Sequence, residues 1–209
     1  MDIAIIGAGN VGKALAGVFV GQGHTVTLAA KDSKHAESAA AETGAASAQD
    51  SRSAAAPADL VVLAVPYDAT ADILDELGDA LSGKVIIDVT NPLAADLSGV
   101  TTEGSSAAEE IQARAPQASV VKAFNTVLAG VQANPVVDGV PADGFVAGDD
   151  ESAKATVLEL LEGLGYRTID AGGLQMARAL EQMSLLNITL QVRNGWSWQS
   201  VWKLAGPTG

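Results

Sequence analysis

The sequence contains no cysteine in its 209 residues, and His24 and His35 are its only histidines. Disulfides, iron–sulfur clusters and thiolate zinc sites are therefore excluded, and two imidazoles are too few for a multi-histidine metal centre. The sequence also lacks the Gly-x-Ser-x-Gly nucleophile elbow. It thus predicts no metal site, and because no pair of nucleophile and base is recognisable, we expect no catalytic side chain.

Long apolar runs and basic residues are also scarce. The longest apolar run, residues 60–66, is far shorter than the ~20 residues that span a bilayer. A first strand at residue 2 or 3 leaves no room for the basic start of a signal peptide. Twenty-five acidic and twelve basic residues give a formal charge of −13, which disfavours nucleic acid and anionic membranes as partners. We therefore expect a cytoplasmic protein whose partners are small molecules.

A glycine-rich turn follows the first short apolar run. The run is Ile3–Ile6, the turn has the spacing Gly-x-Gly-x-x-Gly over Gly7, Ala8, Gly9, Asn10, Val11 and Gly12, and a helical pattern follows at residues 13–19. In a strand-turn-helix unit, the first glycine permits the tight turn, the second lets a pyrophosphate approach the backbone, and the third lets helix and strand pack closely. The free N–H groups of the helix then face the phosphates. The turn predicts a dinucleotide site.

The rest of the chain alternates short apolar runs with helical patterns, which is typical of a parallel sheet. The predicted fold class is α/β, a Rossmann-like, doubly wound, mostly parallel sheet with a long C-terminal helix. We expect one domain over residues 1–209, with residues 174–209 as a helical extension and tail. Strands one, four and five end at Gly7, Pro66 and Asn91-Pro92. Because ligands bind outside the carboxyl ends of the strands, these turns should line one crevice.

The end of the second strand bears on the choice of nucleotide. An acidic residue there would accept hydrogen bonds from a ribose 2′-hydroxyl, but this strand ends at Ala30 and is followed by Lys31, Asp32 and, one turn later, Lys34. The lysines favour a 2′-phosphate, and hence NADP(H). Two alternatives stay open. Asp32 could contact a ribose or cap the next helix, and the whole segment could instead be a solvated, charged helix start without a ligand.

The C-terminal segment carries two further features. A long helix over residues 175–192 places Leu180, Met183, Leu186 and Leu190 on one side, which predicts that it covers the sheet or forms a homodimer. All three tryptophans, Trp196, Trp198 and Trp202, follow it. They pack in the fold or a subunit contact, or they form one wall of a pocket for a planar ligand.

Five segments together resemble a known family. They are Gly7–Gly12, Leu63–Pro66, Ile86–Leu93, Val121–Thr126 and the segment from Ala171 to Glu181. In this order, over essentially the whole chain, they are similar to the coenzyme F420-dependent NADP oxidoreductases and to the reductase domain of the six-transmembrane metalloreductases.

This resemblance implies NADP(H) and a deazaflavin, coenzyme F420, whose ring stacks near the nicotinamide. It implies that residues 8–11 hold the pyrophosphate, that Lys31 lies at the 2′-phosphate, and that Val65-Pro66 and Asn91 flank the ribose and nicotinamide. The complete set of predicted cofactor-binding residues is Gly7, Ala8, Gly9, Asn10, Val11, Gly12, Lys31, Lys34, Ala64, Val65, Pro66, Asn91, Pro92, Ala123 and Asn125.

The expected activity is direct hydride transfer between NADP(H) and coenzyme F420, a reaction that needs positioning and water exclusion rather than a nucleophile. Two alternatives stay open. One is an NADPH-dependent reductase that uses FMN, FAD or a small carbonyl, imine or quinone. The other is a non-catalytic sensor that binds NADP(H) and signals through a partner.

Overall fold

The computed structural model describes residues 1–206; residues 207–209, the end of the predicted tail, lie outside this range. The strands are β1 (Asp2–Ile6), β2 (Thr25–Ala29), β3 (Ala46–Ser47), β4 (Leu60–Leu63), β5 (Val85–Asp88), β6 (Ser119–Lys122), β7 (Val136–Val137), β8 (Val140–Pro141), β9 (Asp143–Gly148) and β10 (Arg167–Gly172). Eight of them form one sheet in the order β10-β9-β6-β5-β4-β1-β2-β3. From β3 to β6 this is the strand order of the Rossmann fold, as the sequence predicts.

The helices are α1 (Asn10–Gly21), α2 (Ser33–Thr43), α3 (Ser51–Ala55), α4 (Thr70–Leu77), α5 (Ala107–Arg114), α6 (Ala129–Gln132), α7 (Glu151–Gly163) and α8 (Ala177–Asn194). Side chains of α1, α2 and α7 pack on one face of the sheet, and those of α3, α4 and α5 pack on the other. Among the helices within residues 1–206, none has both the length and the apolar character needed to cross a membrane.

The central strands are apolar on both sides because helices cover both faces of the sheet. Ile3 and Ile5 of β1 face one core cluster, while Ala4 and Ile6 face the other. All four residues of β4 are buried. The pairs β1–β2, β1–β4, β4–β5 and β5–β6 are all parallel, so their carboxyl ends meet at one edge. That edge carries the candidate site.

The far side of the sheet departs from the parallel pattern. β9 runs antiparallel to β6, and β10 runs parallel to β9. The β7–β8 hairpin forms a separate two-stranded unit before β9, and the sequence pattern does not predict it. The reversal of β9 brings the chain that follows β10 back toward the carboxyl ends of β5 and β6. Helix α8 therefore reaches the candidate site.

The C-terminal helix buries only part of its predicted apolar side against the rest of the chain. Leu180 is buried, but Leu186 is 50% exposed. The buried positions further along α8 are mainly polar: Glu181, Ser184, Asn187 and Gln191. The physical reason is that the tail returns along this side of the helix and supplies hydrogen-bond partners.

Hydrogen bonds hold the tail against α8 and against the edge of the sheet. The Ser200 hydroxyl donates to Asn187 Oδ1 at 2.7 Å, and Gln191 Nε2 donates to the Ser200 oxygen at 2.6 Å. Farther along, the Leu204 backbone N–H donates to the buried carboxylate of Asp143 at 2.6 Å. Arg167 Nε donates to the same carboxylate at 2.7 Å. The described part of the tail is therefore held against α8 and the edge of the sheet.

Candidate functional site

The turn between β1 and α1 has the geometry that its three glycines predict. Gly7 has φ +112°, a conformation that residues with a Cβ rarely adopt. A Cβ on Gly7 would overlap the carbonyl of Ala64, and one on Gly12 would overlap the carbonyl oxygen of Gly7. Gly9 differs, because a Cβ there would meet no atom of residues 1–206 within 4 Å. Gly7 and Gly12 serve packing, whereas Gly9 faces open space.

The open space beside Gly9 is a crevice of about 790 Å³. It is bordered by the ends of β1, β2 and β4, and by parts of α2, α3 and α4. Its walls include Gly7, Ala8, Gly9, Ala30, Lys31, Asp32, His35, Gln49, Asp50, Ser51, Ala64, Val65, Pro66, Asp72 and Glu76. The predicted residues of the glycine turn, the second strand end and the fourth strand end thus meet in one place.

The carboxylates in this crevice are largely engaged by backbone N–H groups. Asp32 caps α2 by accepting from Lys34 N at 3.0 Å, and Asp50 caps α3 by accepting from Ser53 N at 2.7 Å. Glu76 accepts from Ser51 N at 2.9 Å. These contacts orient three of the acids toward the backbone. A bound anion could then lie near Lys31 with less repulsion than the formal charge suggests.

The two lysines after β2 have different positions. Lys31 is exposed and lies on the crevice wall. Lys34 is also exposed, but it is not among the residues that line either of the two cavities of the candidate site. His35, one residue later, lines the crevice, and its Nε2 lies 3.0 Å from the carbonyl oxygen of Ala8. Asp32 was expected either to contact a ribose or to cap the next helix, and the structure shows the helix cap.

A second cavity of about 400 Å³ lies on the other side of the α1 N-terminus. We call it the amide-lined cavity, because four of its wall residues carry a carboxamide: Asn10, Asn91, Asn125 and Gln132. Its other walls are Val11, Val89, Phe124, Val127, Leu128, Ala129, Gly130, Ser184, Ile188 and Trp198. No wall residue of this cavity carries a formal charge.

The amides of Asn91 and Asn125 hydrogen-bond to each other. Asn125 Nδ2 donates to Asn91 Oδ1 at 3.0 Å, and Asn91 Nδ2 donates to the Asn125 backbone oxygen at 3.2 Å. Within residues 1–206, the buried Asn125 Oδ1 and Gln132 Oε1 accept no hydrogen bond. A buried polar oxygen without a partner costs free energy. These oxygens are suited to accept hydrogen bonds from a ligand in the cavity.

The residues expected along one crevice are divided between two adjoining cavities. Gly9 lines the crevice while Asn10 and Val11 line the amide-lined cavity, because the first turn of α1 lies between them. Among the predicted residues, Gly12, Lys34, Pro92 and Ala123 line neither. Ala123 is fully buried, and the carbonyl of Pro92 accepts from Thr101 N at 2.6 Å.

Trp198 is the tail tryptophan that lies on a cavity wall. Its φ of +59° is unusual for a bulky side chain, and its backbone N–H donates to Gln191 Oε1 at 3.0 Å. Trp196 is 49% exposed, and Trp202 packs beside Leu180. Of the two open readings of the tryptophans, the pocket wall fits Trp198 and packing fits Trp202.

A buried triad of charges lies behind the amide-lined cavity. Lys122 Nζ donates to Asp88 Oδ2 at 2.9 Å, to Glu181 Oε1 at 2.8 Å and to the Thr90 carbonyl oxygen at 2.6 Å. The three charged side chains are at most 1% exposed. Burial raises the pKa of Glu181, while Lys122 acts in the opposite direction. Sequence reasoning misses this triad; the only signal is that all three residues lie within the family segments.

Tyr67 follows Pro66 but lines a separate cavity, between α4 and α5. Its hydroxyl donates to Glu110, a carboxylate of α5. Partial burial, followed by the hydrogen bond to Glu110 and the negative charge of that carboxylate, raises the pKa of Tyr67 to about 12. Tyr67 therefore stays protonated at neutral pH and acts as a hydrogen-bond donor.

These observations define the class of protein. A Rossmann sheet with a glycine fingerprint opens into a crevice beside Gly9, and a second, uncharged cavity adjoins it. This is the layout of a nucleotide-dependent oxidoreductase.

Comparison with known proteins identifies the family. Residues 2–92 match the model of the family described as NADP oxidoreductase, coenzyme F420-dependent. The F420-dependent NADP reductase of Methanothermobacter thermautotrophicus is 34% identical over 93% of this chain and 90% of its own. The crystal structure of a putative F420-dependent NADP-reductase from Arthrobacter sp. FB24 superposes with a TM-score of 0.89, at 31% identity, over 99% of this chain and all of the other.

A more distant relative is the metalloreductase STEAP3 of Rattus norvegicus, 29% identical over 88% of this chain and 36% of its own. The chain belongs to the family of F420-dependent NADP oxidoreductases, and the resemblance seen in the five sequence segments is confirmed.

Proposed function

We propose that this enzyme transfers a hydride directly between NADP(H) and coenzyme F420. The observation that carries the proposal is the pair of cavities on either side of the α1 N-terminus, one beside Gly9 and the other beside Asn10. Two bound rings can meet there: in the reduction of F420, a hydride would pass from C4 of the nicotinamide of NADPH to the deazaflavin, leaving NADP⁺, and solvent would supply the proton that completes reduced F420; the reverse direction would release this proton. The protein binds and orients the two substrates and excludes water from between them.

The crevice is the proposed NADP(H) site. Gly9 leaves room for a pyrophosphate at the N-terminus of α1, where free N–H groups favour an anion. Lys31 on the wall provides a cation for a 2′-phosphate, and the second strand has no acid at its end to prefer a free ribose hydroxyl. We therefore propose that the enzyme prefers NADP(H) to NAD(H).

The amide-lined cavity is the proposed F420 site. Its uncharged carboxamides suit the polar edge of a fused heterocycle, and the unpartnered oxygens of Asn125 and Gln132 suit ring N–H donors. Trp198 provides an aromatic surface for a planar ring. The same uncharged walls would also accept a flavin, so an NADPH-dependent reductase of FMN or FAD is the second candidate.

Mixing the protein with NADPH and either F420 or FMN, and following absorbance, tests these assignments. Oxidation of NADPH with F420 and not with FMN is the expected result. Oxidation with FMN, or with a small carbonyl, imine or quinone, but not with F420, would select the reductase alternative. NADPH binding without turnover across all of these acceptors would select the sensor and refute the enzymatic proposal.

The proposed assembly is a homodimer formed through α8 in the cytoplasm, with no nucleic-acid partner. Leu186 and Val192 are apolar side chains of this helix that are 50% and 58% exposed, and a second copy of the chain could cover them. Sedimentation equilibrium should give twice the mass of one chain, and Leu186→Glu should restore the mass of a monomer. A wild-type monomer would refute the assembly.

A further inference from the structure

The buried triad of Asp88, Lys122 and Glu181 joins three chain segments just before each of them enters a wall of the amide-lined cavity. Asp88 is the last residue of β5, Lys122 is the last of β6, and Glu181 lies in the second turn of α8. The wall residues that follow them are Val89 and Asn91, Phe124 and Asn125, and Ser184 and Ile188. The triad is thus the point at which the three walls are fixed relative to each other.

The hydrogen bonds of the triad determine the path of the backbone into the cavity. The Lys122 ammonium group has three donors, and Asp88, Glu181 and the Thr90 carbonyl use all of them. Asp88 Oδ1 also accepts from Thr90 N at 2.8 Å. Thr90 is therefore held at both its N–H and its C=O, and the next residue is Asn91. Glu181 Oε1 accepts as well from Ala107 N at 3.0 Å, which ties α5 to the same point.

Stability alone does not explain three buried charges. Taking charges out of water is costly, and apolar residues of similar volume often give equal or greater stability. A fully satisfied ionic network does, however, permit essentially one arrangement of the elements that it joins. Here those elements carry the Asn91–Asn125 amide pair, and Phe124, immediately before Asn125, holds the unusual φ of +62°.

We propose that Asp88, Lys122 and Glu181 are positioning residues that hold the Asn91–Asn125 pair in register with the acceptor, an inference that rests on the proposed function. They do not contact the acceptor themselves, because none of them lines the cavity. Without the triad, the two loops and α8 can shift against each other. A misplacement of about 1 Å at a reacting pair can lower turnover roughly 10²-fold.

The test replaces the charges while keeping the volume. The variant Asp88→Asn/Lys122→Met/Glu181→Gln removes all three charges together and so leaves no buried charge unpaired. The matched control is Lys154→Met, because Lys154 is another lysine with a 5% exposed side chain and two carboxylate partners, Glu151 and Asp170. It belongs to α7 and lines neither cavity.

Two measurements are compared between the variants. The first is the NMR signals of the Asn91 and Asn125 side-chain amides, which report the pair directly. The second is steady-state kinetics with F420, together with the Kd of NADPH. In the charge-free variant we expect shifted amide signals, a kcat/KM for F420 that is about 10–100-fold lower, and an NADPH Kd within about twofold of wild type. Lys154→Met should leave all three unchanged.

A folded charge-free variant with wild-type amide signals and wild-type kcat/KM would overturn the proposal, as would equal losses in Lys154→Met. If the charge-free variant does not fold, Glu181→Gln serves instead. This variant keeps the Asp88–Lys122 pair, so the amide signals and the kcat/KM for F420 should change in the same direction but by less. Unchanged amide signals and an unchanged kcat/KM would overturn the proposal. A wild-type enzyme inactive with F420 refutes the proposed function separately, and the amide signals still test the positioning.

Discussion

Gly9 and Gly12 lie in the same turn, yet a side chain at each would have different consequences. A Cβ at Gly12 would overlap the backbone of Gly7, so that a substitution there damages the fold. A Cβ at Gly9 would meet no protein atom within 4 Å. Any effect of a substitution at Gly9 is therefore an effect on a ligand.

Gly9→Val should abolish NADPH binding and leave the free energy of unfolding close to that of wild type. The branched side chain would occupy the space that a pyrophosphate needs at the helix N-terminus. Gly21→Val, at the other end of α1, is the control, because a Cβ there also meets no protein atom. Calorimetric titration with NADPH measures the effect. An unchanged affinity for NADPH in folded Gly9→Val would show that the dinucleotide does not bind in the crevice.

Lys31→Ala should narrow the preference for NADPH over NADH. A charge-assisted contact to phosphate contributes about 1.5–3 kcal/mol, so the ratio of the two Kd values should fall roughly 10–100-fold. Lys34→Ala is the comparison, because Lys34 is exposed but lines neither cavity. Kd values for both nucleotides are measured for each variant. Tighter binding of NADH than NADPH by the wild type would show that Lys31 does not set the choice.

The sequence predicts individual residues well where their role is local. The close packing at Gly7 and Gly12 and the open space at Gly9 follow from one turn, and the helix cap by Asp32 follows from one strand end. The triad could not be predicted, because Lys122 lies 34 residues from Asp88 and 59 from Glu181. Nothing in the neighbouring sequence distinguishes a lysine that meets two distant carboxylates from a solvated one.

At the scale of elements, the tail determines what α8 presents to the candidate site. Its hydrogen bonds to Asn187 and Gln191 allow the buried side of α8 to be polar, and they hold Trp198 at the cavity wall. The helical period identifies this helix correctly. It does not reveal which side the tail covers, so it does not predict that Leu186 stays exposed while polar residues are buried.

Trp198→Ala should raise the KM for F420 without weakening the binding of NADPH. Loss of an aromatic contact costs about 0.5–1.5 kcal/mol, which corresponds to roughly 2–12-fold in KM. Trp196→Ala is the matched control, since Trp196 has similar exposure and does not line the cavity. Equal effects of the two substitutions would mean that Trp198 acts through the tail rather than on the acceptor.

Asp143 joins the tail to the sheet and should make stability sensitive to acid. Burial acts to raise the pKa of this carboxyl, but Arg167, the Leu204 N–H and Lys203 outweigh it and lower the pKa. Because the folded pKa lies below the unfolded one, the stabilisation is complete above the ordinary carboxyl pKa of about 3.9 and is lost as the pH falls through the folded value.

Asp143→Asn should therefore lower the free energy of unfolding by about 1–3 kcal/mol at pH 7, and by less at pH 3. Urea unfolding at the two pH values measures the difference, and exposed Asp68→Asn is the control. A loss of equal size at both pH values would contradict the assignment of the stabilisation to the ionised Asp143.

At the scale of the whole molecule, the sequence pattern predicts the fold. It does not predict that the carboxyl-end edge of the sheet carries two separate cavities. Buried apolar runs such as β4, the glycine fingerprint and the alternation of elements predict the doubly wound sheet. The β7–β8 hairpin is too short to show a period, and the antiparallel β9 reads from sequence like any buried strand. The separation into two cavities depends on where the first turn of α1 lies, which is a tertiary property.

The molecule is acidic overall, but the charged side chains around the candidate site are arranged so that an anionic nucleotide can bind there. Within the crevice, Asp32, Asp50 and Glu76 accept backbone hydrogen bonds, while Lys31 has an exposed ammonium group on the wall. The amide-lined cavity carries no formal charge on its walls. The net charge of −13 therefore does not describe the field at the candidate site.

Direct hydride transfer requires that the two rings meet at the N-terminus of α1. It is tested by incubating the enzyme with F420 and each C4-deuterated stereoisomer of NADPH, and by measuring deuterium in the reduced F420 and in the solvent by mass spectrometry. We expect one stereoisomer to pass its deuterium to F420, with none released to water. Deuterium lost to the solvent during transfer, or equal transfer from both stereoisomers, would contradict it.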